Sequence, residues 1–124
     1  MTRMRSHKDL EVWKRSVELV KRIYDITQSF PKEELYGLTN QIRRSAVSIP
    51  SNIAEGAARN HQKEFIQFLY ITLGSIAELE TQLIISEKLM FVKSNLSHEL
   101  QKELLELKNM TLGLIKYLKQ ISDK

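Results

Sequence analysis

Apolar residues return every three or four positions along almost the whole chain, and nowhere alternate every second position between turns. That spacing places them on one side of a helix, so helix is expected throughout. Only four glycines and two prolines interrupt the 124 residues. In the first segment Leu10, Trp13, Val17, Val20, Tyr24 and Thr27 form one stripe, widened by Val12, Leu19, Ile23 and Ile26. Ser6 can cap its start, with Asp9 placed to complete a capping box.

The second segment opens on Pro31, Glu33 and Glu34, residues that suit the first turn of a helix. From about 33 to 59, Leu38, Ile42, Ala46, Ile49, Ile53 and Ala57 give a stripe that runs through Pro50 without changing phase. An interior proline removes one hydrogen bond and clashes with the carbonyl four residues back. The segment is therefore expected to be one helix kinked at Pro50, or two coaxial halves, with Ser48 and Ser51 placed to satisfy freed backbone groups. The third helix, about 61–90, carries Phe65, Leu69, Thr72, Ile76, Leu79, Leu83, Ser86 and Met90 on one stripe. Ser97 is the expected N-cap of the fourth, where Leu100, Leu104, Leu107, Thr111, Leu114, Leu118 and Ile121 line up. Its remaining positions mix glutamate and lysine as an ordinary solvated face does. Four amphipathic helices on short connections read as an all-α, up-down-up-down four-helix bundle. One domain, 1–124, is expected, with residues 1–8 as a flexible basic arm.

The third segment is more apolar than one core-facing stripe requires. Ile66, Phe68, Tyr70, Ile71 and Leu73 do not share the Phe65 face. A helix apolar all round is buried all round, so a second packing partner is expected, most simply another subunit. Phe65, Phe68, Tyr70, Ile71 and Leu73 are the interface candidates; cover by the N-terminal arm is the alternative.

The absence of cysteine excludes disulfides, thiolate metal sites and a cysteine nucleophile, and suits a reducing compartment. No apolar run approaches the roughly 18 residues of a membrane span, and the basic N-terminus has no apolar stretch behind it, so a cytoplasmic protein without a membrane partner is expected. Chemistry is hard to place. His7, His61 and His98 are far apart and lack metal-ligand spacing, Glu78 and Glu80 fall on different helix faces, and the glycines are single. No nucleophile elbow is present. The expectation is no enzyme, no cofactor and no metal.

Polar content gathers around Pro50. Arg43 and Arg44 lie about 100° apart on a helix, so at most one can point inward. Arg44, Ser48, Ser51 and Glu55 make a polar stripe, continued by Asn52 and Arg59. Two readings stay open: ion pairs such as Arg59 with Glu55, or guanidinium groups presented to phosphate.

The runs DLEVWKRSVELVKRIY, FPKEELYGLTNQIRRSAVSIPSNIAEGAAR and KEFIQFLYITLGSIAELETQL resemble the four-helix bundle family encoded in intervening sequences of bacterial 23S ribosomal RNA genes. The block IRRSAVSIPSNIAEG, 42–56, is the specific part of the match. The resemblance implies a ring-shaped homopentamer. The family is similar in fold to the accessory protein of diversity-generating retroelements, a basic pentameric barrel that associates with a reverse transcriptase and binds nucleic acid. In such a ring, Pro50, Asn52, Glu55 and Gly56 would form a structural kink motif where helices or subunits meet. The net charge of +4 would be multiplied by assembly. RNA or DNA would meet Arg43, Arg44, Arg59 and Lys63, with Arg3, Arg5 and Lys8 of the arm. The competing reading is a scaffold whose ring recruits another protein, for instance a nucleic-acid enzyme.

Overall fold

The computed structural model describes residues 6–122. Among them the chain forms α1 (Glu11–Thr27), α2 (Leu38–Ala58), α3 (Gln62–Lys88) and α4 (Ser94–Ser122), with single 3-10 turns at His7–Asp9 and Lys32–Glu34 and no strand. Arg15 meets Glu103 and Glu106 while Arg22 meets Glu99, so α1 and α4 run in opposite senses. Tyr70 meets Lys119 and Glu87 meets Ser94, which sets α3 against α4 in the same way. Leu19, Ile42, Ile53, Leu69, Leu83 and Leu104 are sealed between the helices. Each such side chain contributes about 1.5–3 kcal/mol through burial.

Sequence periodicity locates the core of α1 one step off. Val12, Ser16, Leu19, Ile23 and Thr27 are buried, whereas Val17 and Tyr24 are exposed. The set expected only to widen the stripe is its centre. Ser6 and Asp9 do form a capping box, but on the 3-10 turn; α1 begins after Leu10 without a side-chain cap. His7 and Lys8, expected in a flexible arm, belong to that turn, and the His7 ring packs edge-on against Trp13 at 5.0 Å. Arg3 and Arg5 lie outside the described residues.

The second helix starts at Leu38 rather than near residue 33, because Pro31 leads only the short turn Lys32–Glu34. It then runs unbroken through Pro50, which is buried. The side chains beside the proline bond their own helix: Ser48 Oγ donates to the Ser45 carbonyl at 2.7 Å and Asn52 Nδ2 to the Ser48 carbonyl at 2.8 Å. Ser51 stays exposed.

Two corrections concern the α3–α4 connection. Met90 is not on the α3 core stripe; it follows the helix end with φ 65° and is solvent-exposed. Phe91 N–H donates to the Ser86 carbonyl and Met90 N–H to the Glu87 carbonyl, the paired bonds of a left-handed helix terminus. Ser97 is not an N-cap, because α4 begins three residues earlier and Ser97 is buried inside it. The α4 glutamates are not a plain solvated face either. Glu103 and Glu106 bracket Arg15 at 2.9 and 2.8 Å, and Glu99 takes Arg22 at 2.6 Å.

An 18-residue window of α3 has a mean hydropathy of 1.3, long and apolar enough by composition to cross a membrane, contrary to the sequence expectation. Only 39% of that window is buried, so its apolar character is divided between a core side and an outward side.

Candidate nucleic-acid interface

The adjacent arginines of α2 face different ways, as their helical spacing requires. Arg43 is half-buried: its Nε donates to Thr27 Oγ1 at 2.9 Å, and its guanidinium lies 4.7 Å from the Tyr24 ring centroid. Thr27 is itself fixed, since its hydroxyl donates to the Ile23 carbonyl at 2.7 Å. Arg44 points outward and is exposed. Arg15, Arg22 and Arg59 are all paired with glutamates. Neither Arg43 nor Arg44 has a carboxylate partner among the described residues.

Arg44 stands on a ridge between two open grooves. One, of about 440 Å³, lies toward α1 and is lined by Tyr24, Asn40, Arg43, Arg44, Val47 and Ser48. The other, of about 620 Å³, lies between α2 and α3 and is walled by Tyr36, Asn40, Gln41, Arg44, Ser45, Ser48, Ser75, Glu78 and Gln82. Apart from the tyrosine ring, every side chain in that second groove is polar. Ser45, Ser75 and Gln82 are buried, and Gln82 Oε1 has no hydrogen-bond partner. Tyr36 is 91% exposed, so its ring offers a free aromatic surface at the groove edge.

The other sequence candidates do not join this surface. Arg59 sits at the far end of α2, roughly 24 Å along the axis from Arg43 at 1.5 Å rise per residue. It donates to Glu55 at 2.8 Å, approaches Glu64 at 3.9 Å and stacks over Phe68 at 5.1 Å. Its charge is met within the chain, and Glu55 is occupied by it. Lys63 and Lys8 are exposed but lie outside both grooves. Sequence reasoning missed Tyr24, Tyr36, Ser75 and Gln82. Tyr24 falls on the expected α1 core stripe, and Ser75 and Gln82 lie on a different helix from Arg44, so sequence spacing does not bring them together.

The candidate subunit face also changes composition. Phe65 is buried in the core, and Ile66, Phe68 and Leu73 are half-buried within the chain. Of the residues assigned to the interface, only Tyr70 and Ile71 are exposed, at 48% and 51%. The same outward side continues through Gly74, Ala77, Ile84 and Ile85, with the exposed Leu105 and Leu112 on α4. A Cβ at Gly74 would meet nothing within 4 Å, so this side is open. Tyr70 is held at its edge, accepting from Lys119 Nζ at 2.9 Å.

Among the described residues no cluster of histidine, aspartate and glutamate has the geometry to hold a metal ion. Among the described residues, the resolved displacements in proton affinity belong to surface pairs. Hydrogen bonds from Arg15 to Glu106 and Glu103 raise the affinity of its guanidinium for its proton. The hydroxyls of Ser94 and then Ser97 hold the Glu87 carboxyl below its ordinary value.

A family model described as 23S rRNA-intervening sequence protein matches residues 8–113. A solved structure of a protein with unknown function from the S23 ribosomal protein family of Bacteroides thetaiotaomicron VPI-5482 is similar in fold. It has a TM-score of 0.78 and 24% identity over 85% of this chain and 95% of that one. At that identity the likeness speaks for the fold alone. No curated protein matches the chain.

Proposed function

The chain belongs to the 23S rRNA-intervening sequence protein family, and from that premise we propose that it is a non-enzymatic, self-assembling RNA-binding protein. The observation that carries this reading is the contrast among its arginines. Arg15, Arg22 and Arg59 are neutralised by glutamates, while Arg43 and Arg44, which face different ways, have no carboxylate partner among the described residues. Guanidinium groups left free of acids bind phosphate oxygens through paired N–H donors. The family description names 23S rRNA, which makes RNA the first ligand to test.

Self-assembly is supported by the outward side of α3. Tyr70, Ile71, Ile84 and Ile85 are all exposed. A ring of copies, of the pentameric size the sequence resemblance implies, presents many Arg43–Arg44 pairs at once and attracts a polyanion more strongly than one chain.

The test is a titration of structured RNA with the purified protein at several salt concentrations. Tight binding at low salt that weakens steeply as salt rises is the expected result, because each phosphate contact releases counterions. Absence of binding at low salt would defeat the reading and leave the α3 face as the surface through which the protein recruits another protein.

A further inference from the structure

We infer that the groove between α2 and α3 holds an unpaired nucleotide, so that RNA crosses Arg44 as a single strand; this rests on the RNA-binding reading above. The groove is built for a polar, hydrogen-bonding guest. Gln82 is only 7% exposed, and its Oε1 has no partner. A buried amide oxygen left unpaired is unfavourable, and a turn of the Gln82 side chain into the groove, where a ligand can donate to it, removes that penalty. Amides both donate and accept, which is what the edge of a nucleobase requires, and Asn40 and Gln41 stand in the same wall. An apolar guest would leave all of these unsatisfied.

The remaining parts of a nucleotide also find partners. Tyr36 offers a bare ring at the groove edge for stacking. Arg44, on the ridge, meets the phosphate. Glu78 on the α3 side repels phosphate and accepts from a ribose hydroxyl, which turns the sugar toward α3 and the backbone toward Arg44. On the other side of the ridge the Arg43 guanidinium is fixed over Tyr24, and its free face can stack the next base. A groove of about 620 Å³ lies within the range of small-ligand sites. Bases inside an A-form duplex are stacked and covered, so they cannot enter.

The experiment is an anisotropy titration of the full chain with a labelled oligoadenylate and with a blunt RNA duplex of equal length. Wild type is compared with Tyr36→Ala, Gln82→Leu and Arg44→Ala. The expected result is stronger binding of the single strand than of the duplex. Tyr36→Ala should weaken the single strand by about five- to hundredfold, the worth of one stacked base, and Gln82→Leu should weaken it as well. Neither should alter duplex binding, whereas Arg44→Ala weakens both. Because Tyr36 is almost wholly exposed, its variant cannot fail through misfolding. Equal binding of strand and duplex, with Tyr36→Ala unchanged, overturns the groove and leaves phosphate binding by Arg44 standing. No binding of either RNA by wild type at low salt overturns both.

Discussion

At Gly56 the backbone of α2 comes so close to α3 that an added Cβ would lie 2.7 Å from Phe68 Cβ and 3.0 Å from Phe65 Cδ1. The glycine is there for contact between helices, since its own backbone is ordinary helix. Gly56→Ala gains about 1 kcal/mol of helix propensity but forces the two helices apart, an overpacking cost of about 1–3 kcal/mol. A lower melting temperature is expected by circular dichroism; an unchanged or higher one would show that α3 yields freely. Glu87 supplies a second test at this scale. Hydrogen bonds from Ser94 and Ser97 hold its folded carboxyl below the ordinary 4.5. A depressed carboxyl stabilises the fold fully above its unfolded value, and that contribution disappears as pH falls through the folded value. Glu87→Gln is therefore expected to flatten the dependence of melting temperature on pH below about 4.5, with the difference from wild type vanishing in stronger acid. A constant difference across that range would contradict the assignment.

Among the helices, α3 reveals most about what a sequence discloses. Its core stripe from Phe65 to Ser86 was legible because those residues recur at helical spacing and are buried as a set. Its outward side was legible only as an excess of apolar residues. Periodicity states that a side chain misses the core stripe, but cannot say whether a neighbouring helix covers it. Thus Phe68 and Leu73 proved half-buried within the chain while Tyr70 and Ile71 remained open. The α4 glutamates failed to stand out for the same reason: their partners, Arg15 and Arg22, lie some eighty positions away. The ion pairs they form are partly exposed and worth at most about 1 kcal/mol each. The prediction at this scale concerns assembly. Ile71→Glu and Ile85→Glu change exposed positions, where effects on folding stay within roughly 0.5 kcal/mol, yet each places a charge on the outward side of α3. Light scattering is expected to show a fall in particle mass at unchanged helicity. Wild-type mass in both variants would remove this face from the assembly.

For the molecule as a whole, the four helices leave two surfaces that the bundle itself does not use: the apolar side of α3 and the polar ridge of α2 around Arg44. In the proposed function, assembly through the first multiplies what the second binds. The Arg43–Arg44 pair was visible in the sequence, but the grooves flanking it were not, since they need Tyr36, Gln82 and Tyr24 from three separate elements. The most direct measurement is the slope of log affinity for structured RNA against log salt, for wild type, Arg43→Ala/Arg44→Ala and Arg15→Ala/Arg22→Ala. Each lost phosphate contact lowers the slope by about 0.7–0.9. A shallower slope and weaker binding are expected for the α2 double variant, with little change for the α1 pair, whose charges are already met by glutamate. Equal slopes in all three proteins would contradict that expectation.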